Sequence, residues 1–273
     1  MPTMVKKADG TKEVYNEEKI RGSATRVGVP HDLQDQLLED IRGRLFDGIS
    51  THEIFEMVKE FLHNSESPHL AMKYNLKGAL AELGPSGYPF EQYVALLLQA
   101  VGYSTKTNQT LPGECVTHEV DVLAEKDNTT YFIEAKFHKN PSQRTDVRIT
   151  LYIKARYDDL KSVWKGGESR AWIVTNTRFS TDAIKYGECN NLKLTSWGYP
   201  KGEGITDLIE KTGLHPITII DTLSKEDRLR LLSAGIVTCR QLLNPASHRL
   251  LPKELLAEIL PQIEAICGPQ SHS

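Results

Sequence analysis

The chain is 273 residues long, with 25% charged and 39% hydrophobic residues and a formal net charge of −3 at pH 7. This composition is that of a globular protein with room for two or three domains, and it argues against a uniformly basic nucleic-acid binder. The four cysteines are scattered and lack the paired spacing of a zinc or redox site. No apolar run approaches membrane length and nothing at the N-terminus resembles a signal peptide. We therefore expect a cytoplasmic protein with reduced thiols and no membrane partner.

The first ninety residues predict a hairpin followed by four helices. Residues 4–15 alternate in polarity around the turn dipeptide Asp9-Gly10, which is typical of a short hairpin. Asn16 is a good N-cap for a helix over about 17–26, and Ser50 with Thr51 marks the start of a third helix. Apolar spacing predicts the second helix over about 33–46 and the fourth over about 69–83.

Residues 4–84 resemble the ATP-cone, a small nucleotide-binding domain. The resemblance is carried by Val5-x-Lys7-x-Asp9-Gly10, Glu13, Glu18-Lys19-Ile20, Gly48-Ile49-Ser50-Thr51-x-Glu53-Ile54 and Ala71-x-x-Tyr74-Asn75-Leu76-Lys77. Two positions depart from the family pattern: Ala8 stands where an arginine is usual, and Phe55 stands where a histidine can occur.

The resemblance implies that the N-terminal domain binds ATP or dATP. It assigns the phosphates to Lys7, Lys19 and Lys77, the nucleoside to Glu13 and Thr51, and the walls of the base site to Val5 and Ile20. The alternative is a cone retained as a dimerisation or spacer module with no bound nucleotide, because folds outlast functions.

A second region of chemical interest is the predicted hairpin over residues 117–138. Side chains alternate faces along a strand, so Glu134 and Lys136 share a face, and pairing of the two strands can bring Asp121 beside them. Two carboxylates and a lysine can hold a divalent metal and orient a water, and Mg²⁺ commonly takes only one or two protein carboxylates. The same three residues also fit a cross-strand ion pair on a solvated face.

The surrounding pattern is α/β. A helix over about 89–100 carries Glu91 in its first turn and ends near Gly102. After the hairpin we predict a helix over 145–163, a strand over 171–175, a helix over 181–186 and a strand over 192–197. The whole chain is thus predicted to be an α/β and α+β multidomain protein.

Residues 87–216 resemble an Mrr-type restriction endonuclease domain of the PD-(D/E)xK superfamily. The resemblance is carried by Phe90-Glu91, Gly102-Tyr103, Glu119-x-Asp121, Glu134-Ala135-Lys136 and Leu208-Ile209-Glu210-Lys211-x-x-Gly213-Leu214-x-Pro216. It implies a Mg²⁺ or Mn²⁺ ion held by Asp121, Glu134 and the carbonyl of Ala135, with Lys136 acting on the attacking water. Glu91 would complete the site through a water or a second metal.

Basic residues are concentrated just after the predicted site. From Lys136 to Arg170 the chain has nine Lys or Arg against four Asp or Glu, which suits a phosphate-facing surface. Arg144 and Arg148 lie at the start of the following helix, where backbone N–H groups favour an anion, so they are candidate DNA contacts. Simple solvation explains them equally well. His138 fits three roles: a proton acceptor near the site, a phosphate contact or a surface residue at the end of the strand.

The C-terminal segment predicts three helices, with Ser224 and Thr238 as N-caps and Pro252 before the third. Leu232-x-Ala234-Gly235-Ile236-x-Thr238 resembles half of a helix-hairpin-helix motif, while a helical packing or dimerisation domain fits as well. We divide the chain into domains 1–86, 87–220 and 221–273, and expect a mobile tail over 268–273.

The resemblances together predict a metal-dependent DNA endonuclease regulated by ATP or dATP, in restriction, defence or DNA repair. No Gly-rich phosphate loop of an ATPase occurs in the sequence, so the nucleotide is expected to act as a switch. ATP-cones often switch by changing subunit packing, and we expect a dimer or higher homo-oligomer. One alternative is a non-catalytic, nucleotide-sensing regulator that binds DNA. Another is a nuclease acting on RNA or branched DNA.

Overall fold

The structure is a computed structural model that describes residues 3–7, 10–84 and 86–267. It is a mixed α/β protein with three parts: an N-terminal hairpin with helices, a central mixed sheet covered by helices, and a small C-terminal helical region. The predicted fold class is confirmed. Ala8 and Asp9 of the predicted turn, Pro85 and the predicted tail over 268–273 lie outside the described residues.

The strands are β1 (Met4–Lys6), β2 (Lys12–Val14), β3 (Ile49–Ser50), β4 (Ser104–Pro112), β5 (Thr117–Lys126), β6 (Thr129–Lys136), β7 (Arg144–Thr145), β8 (Glu168–Thr175), β9 (Arg178–Phe179) and β10 (Lys193–Thr195). The helices are α1 (Glu17–Arg26), α2 (His31–Arg44), α3 (Thr51–His63), α4 (His69–Tyr74), α5 (Leu76–Ala81), α6 (Tyr88–Ala100), α7 (Val147–Val163), α8 (Thr181–Cys189), α9 (Ile205–Thr212), α10 (Lys225–Ser233), α11 (Cys239–Leu242) and α12 (Lys253–Cys267).

The N-terminal part forms as its capping residues predict. Strand β1 pairs antiparallel with β2 and parallel with β3. The side chain of Asn16 accepts the N–H of Glu18 and starts α1. Ser50 and Glu53 form a reciprocal capping box that starts α3. Helices α1, α2 and α3 bury one face each against β1 and β3 in a core of their own.

The fourth predicted helix is two helices, because the chain breaks at Asn75. This residue ends α4 and precedes α5 with a backbone outside the helical region (φ −83°, ψ 9°). Its side chain folds back over Gly78, where an added Cβ would lie 2.5 Å from Asn75 Oδ1. A local turn of this kind is a common alternative to helix for asparagine.

The central sheet has the strand order β10-β8-β6-β5-β4. Strands β4, β5 and β6 are antiparallel neighbours, whereas β6, β8 and β10 are parallel. Because side chains alternate, Val122 and Ile133 pack towards α6, while Leu123 and Phe132 pack towards α7. The two helices therefore cover opposite faces of the sheet.

Two elements here differ from the prediction. Strand β4 was not predicted, because its nine residues contain no fully buried side chain and lack the alternating apolar pattern that marks a strand. The helix predicted from residue 145 begins at Val147. Asp146 caps it, and the two residues before the cap pair with β9 as strand β7.

The C-terminal helices share a core with the central sheet and with the last helix of the N-terminal part. The hydroxyl of Thr218 donates a 2.6 Å hydrogen bond to the carbonyl of Ala79 in α5. Leu80 of α5, Leu98 of α6 and Ile259 of α12 belong to one buried cluster. This packing agrees with the packing-domain alternative for the C-terminal segment, and the domain boundaries remain predictions.

Among the described residues, no helix is long and apolar enough to cross a membrane.

Candidate active site

Strands β5 and β6 bring Asp121 and Glu134 together. Their regular pairing ends at Val122 and Ile133, and one step further the same register sets Asp121 opposite Glu134. Residues opposite each other in an antiparallel pair point to the same face. On the other side of β5 the pairing is also interrupted, at Asn108, whose φ of 51° lies in the left-handed region. Asp121 thus lies at an irregular point of the sheet.

Asp121 is mostly buried and close to another acid. One carboxylate oxygen accepts the backbone N–H of Ala135 at 2.8 Å. Burial, and then repulsion from Glu134, raise its pKa to about 6, although that hydrogen bond and the nearby Arg156 act in the opposite direction. A second positive charge near the two carboxylates would favour their ionised forms.

Glu134 is held by a residue that the sequence did not single out. Arg156 of α7 donates from Nη1 to Glu134 at 2.8 Å, and its Nη2 donates to the hydroxyl of Tyr152 at 2.9 Å. Arg156 belongs to the basic segment after β6, but it lies on α7, and no sequence motif links it to Glu134. The tertiary packing of α7 on the sheet was needed to find it.

Lys136 lies two residues beyond Glu134 on β6 and therefore on the same face. It is half-buried, and its ammonium forms no ion pair or hydrogen bond with the described residues. It is thus available to a bound anion or water.

Glu91 approaches the same carboxylates from the first turn of α6. Burial, and then repulsion from Asp121, Glu119 and Glu134, raise its pKa to about 7. A carboxyl with such a pKa can hold or release a proton near neutral pH. Gly87 lies beside the carboxyl group of Glu91. A Cβ added at Gly87 would lie only 3.3 Å from Glu91 Oε1.

The donor set suits a small divalent cation bound by few protein ligands. Two carboxylates, with Ala135 on the same strand, match a hard oxygen-preferring ion that retains several waters. Among the described residues, no group of three or more Asp, Glu, His or Cys side chains is arranged to hold a metal. The raised pKa of Asp121 and the guanidinium of Arg156 against Glu134 both point to a place that attracts positive charge.

His138 is buried rather than at the surface. Its ring Nε2 is 2.9 Å from the hydroxyl of Thr145, and its backbone N–H donates to Asn176. Burial lowers its pKa. These bonds fasten the end of β6 next to the end of β8.

The two candidate DNA contacts, Arg144 and Arg148, differ in the interactions of their side chains. Arg144 is exposed on β7. Arg148 is also exposed, but it folds back onto Asp146, whose carboxylate accepts from Arg148 Nε at 3.0 Å. Arg148 would have to leave this pair to contact DNA.

The N-terminal part contains a cavity of about 220 Å³. It is lined by five of the seven predicted nucleotide-binding residues: Val5, Glu13, Lys19, Ile20 and Thr51. Lys7 and Lys19 lie 2.8 and 2.7 Å from the carboxylate of Glu13, so both ammonium groups meet at this cavity. These bonds, first that of Lys19, lower the pKa of Glu13. Lys77 lines a neighbouring cavity instead.

Comparison with known proteins finds a match for each of three segments of the chain. Family models match an ATP cone domain over residues 3–76, a restriction endonuclease domain (Mrr_cat) over 84–197, and an AF1548-like C-terminal domain over 215–267. An uncharacterised protein of Archaeoglobus fulgidus is 40% identical over 179 residues, which are 64% of this chain and 100% of that protein. The chain belongs to the AF1548-like family.

A solved structure of similar sequence also has a similar fold. The crystal structure of AF1548, a protein of unknown function, superposes with a TM-score of 0.58 and 39% identity, covering 67% of this chain and 99% of that one. Can2 from Sulfobacillus thermosulfidooxidans, in complex with cyclic tetra-adenylate, has a TM-score of 0.32 and 14% identity, covering 75% of this chain and 64% of that one. The similarity to Can2 is too low to support any inference about this AF1548-like protein.

Proposed function

We propose that this protein is a metal-dependent DNA endonuclease whose activity is controlled by ATP or dATP binding to the cone. The observation that carries the proposal is the position of Asp121 opposite Glu134, one step beyond the regular pairing of β5 and β6, with Lys136 on the same face. The match to a restriction endonuclease domain supports the reaction class, and the match to the cone supports nucleotide control.

In this proposal Asp121, Glu134 and the carbonyl of Ala135 hold Mg²⁺ or Mn²⁺, which supplies Lewis acidity at the scissile phosphate. Lys136 orients the attacking water and offsets negative charge that develops on the phosphate. Glu91, whose pKa is about 7, accepts a proton near the site at neutral pH. Arg144 contacts the DNA backbone from the exposed strand β7.

Nucleotide control is proposed to act through packing. Helix α5, at the end of the cone, is fastened to the C-terminal region by Thr218 and lies in the core that also contains α6. A change in the cone can therefore reach Glu91 on α6 through buried contacts as well as through the short linker at residues 84–87. We also propose a homo-oligomer, since two copies of the site in a symmetric assembly can cut the two strands of a duplex together.

The test is cleavage of plasmid and linear DNA by the purified protein with Mg²⁺, Mn²⁺ or EDTA, and with ATP, dATP or no nucleotide. Asp121→Ala should abolish cleavage while the fold is retained by circular dichroism. Glu125→Ala is the matched control, because this exposed acid lies on the same strand outside the site. Cleavage by a folded Asp121→Ala variant would overturn the assignment.

DNA binding without cleavage by the wild-type protein under every condition would instead favour a nucleotide-sensing regulator. Light scattering with and without nucleotide tests the oligomer, and a monomer under all conditions would contradict that part.

A further inference from the structure

A cavity of about 480 Å³ opens where the cone meets the nuclease domain. Its wall includes Arg26 at the end of α1, Arg178 on β9 and Lys201 in the loop between β10 and α9. An adjoining cavity of about 210 Å³ shares Arg26 and Trp197 with it and adds Lys77 of the cone. The two cavities together, here called the junction cavity, are therefore lined by cations from both domains.

These positive charges are not neutralised. Five cations line the junction cavity, and none forms an ion pair with the residues that the structure describes: Arg26, Lys73, Lys77, Arg178 and Lys201. Two acids line the junction cavity, fewer than the cations there. Asp207 accepts the N–H of Gly204 at 2.9 Å and caps α9. Glu210 lies 3.6 Å from Nε2 of His215, and against the effect of burial this histidine and Lys73 lower the pKa of its carboxyl. The cavity therefore has an excess of unpaired positive charge.

Crowding of these charges is visible at Lys77, which is half-buried. Burial, and then the proximity of Arg178, lower the pKa of its ammonium group. Arg178 belongs to the nuclease domain, so like charges from the two domains repel each other at the junction. A bound anion would remove this repulsion.

A buried hydroxyl without a partner lines the same cavity. Ser196 is 1% exposed, and its Oγ has no hydrogen-bond partner. The surrounding loop is fixed by backbone bonds from Ser196 N–H to Tyr199 and from Ile205 N–H to Ser196, at 2.7 and 3.0 Å. It is so compact that a Cβ on Gly204 would lie 2.9 Å from the carbonyl oxygen of Ser196. A buried polar group left unpaired is unfavourable by about 1–3 kcal/mol, so it is expected to have a partner when the site is filled.

We propose that the junction cavity binds the phosphate groups of a nucleoside phosphate, either a free nucleotide or a nucleic-acid strand. Arg26 and Lys77 contribute from the cone, and Arg178, Lys201 and the hydroxyl of Ser196 contribute from the nuclease domain. The larger cavity has the size of small-molecule sites, roughly 300–1,000 Å³. Because its donors come from two domains, the ligand fixes the cone against the nuclease. This site adjoins the cone's own cavity beside Glu13 and Lys19, with which its smaller part shares Ser23, Phe55 and Tyr74.

The first test uses inorganic tripolyphosphate as the probe and calorimetry on the full chain. All variants carry Lys19→Ala, so that binding at the cone's own cavity is reduced. Adding Arg178→Ala with Lys201→Ala should weaken binding by about tenfold or more, since each charge-assisted contact contributes about 1.5–3 kcal/mol. Adding Lys185→Ala, an exposed lysine on α8, should change nothing. Equal affinity in the double variant and the control would overturn the proposal.

Ser196→Ala gives a second readout that a structural role would not produce. The free protein should be as stable as wild type or more so, because an unpartnered hydroxyl has been removed. The rise in melting temperature caused by tripolyphosphate should become smaller. A less stable free protein with an unchanged rise would overturn the role of Ser196.

Two further titrations, with ATP and with a single-stranded oligonucleotide in EDTA, identify the source of the phosphate. Loss of ATP affinity in the double variant assigns the site to a nucleotide, and loss of oligonucleotide affinity assigns it to a strand. Unchanged affinity for both would overturn the proposal. These measurements do not depend on DNA cleavage, so they remain informative if the proposed nuclease activity fails.

Discussion

Arg156 and Glu134 form an ion pair of 2.8 Å in which each side chain is only 16% exposed. This pair sets a fixed positive charge against one of the two carboxylates proposed to bind the metal. It has two opposing consequences. The guanidinium competes with a divalent ion for Glu134, and it also lowers the pKa of the neighbouring Asp121.

Replacement of Arg156 separates these effects. In Arg156→Gln the pKa of Asp121 should rise above about 6, because a nearby positive charge has been lost. The acid limb of the pH–rate profile for cleavage should therefore move to higher pH. At pH 9, where Asp121 is ionised in both proteins, Mn²⁺ affinity by calorimetry should equal or exceed that of wild type. Arg156→Lys keeps the charge and should leave the acid limb near its original pH. An acid limb that moves to lower pH in Arg156→Gln would contradict this account.

Asp121→Asn should stabilise the metal-free protein. A carboxyl whose folded pKa is raised contributes most below its unfolded pKa of about 3.8, and that contribution is lost as the pH rises through about 6. The variant should therefore be more stable than wild type by about 1–3 kcal/mol at pH 8 in EDTA, and equal to it near pH 4. Urea denaturation at the two pH values measures this. A variant that is less stable at pH 8 would show that Asp121 has a structural role.

Metal addition provides the complementary measurement. Mg²⁺ or Mn²⁺ should raise the melting temperature of the wild-type protein at pH 8, because ligands that bind only the folded state stabilise it. Asp121→Asn should show no such rise. A rise of equal size in both proteins would place the metal elsewhere.

In the cone, Lys19→Ala should weaken ATP or dATP binding about tenfold or more, because one charge-assisted phosphate contact is lost. Lys12→Ala is the matched control, since this exposed lysine of β2 does not line the cavity. Calorimetry on the full chain measures both. If the wild-type protein binds neither nucleotide, the cone is a structural module here.

A non-hydrolysable ATP analogue should change the cleavage rate as ATP does, because the nucleotide is proposed to shift packing rather than to be consumed. Coupling of this kind amounts to about 1–3 kcal/mol, which is a several-fold change in rate. Cleavage that follows ATP hydrolysis, with no effect of the analogue, would rule out a simple switch.

Sequence patterns predicted much of this fold because the relevant signals are local. Asn16, Ser50 and Ser224 each cap a helix as predicted, and the β5–β6 hairpin follows from alternation around its turn. Strand β4 was not predicted because its own residues lack a strand pattern; it forms through its pairing with β5. Asn75 divides the fourth predicted helix because its backbone leaves the helical region between α4 and α5.

For the candidate site too, the sequence indicates the residues that local patterns group and misses those that only tertiary contacts bring together. Asp121, Glu134 and Lys136 lie close in sequence or share a hairpin, so alternation alone groups them. Arg156 and Ser196 depend on contacts between elements distant along the chain, and no periodicity marks them. The irregular pairing at Asn108 likewise requires knowledge of which strand lies beside β5.

The buried cluster that joins α5, α6 and α12 has a practical consequence for fragments of this protein. A fragment beginning after residue 84 would lose Leu80 and Leu83 from that cluster and expose the apolar surfaces they cover. Fragments that begin at His69, the first residue of α4, would keep the cluster whole. The core left behind is that of α1 to α3, to which Leu70 and Ala71 of α4 also contribute. Protease nicking under mild denaturation should accordingly release the first seventy residues well before the remainder, which should melt as one cooperative block.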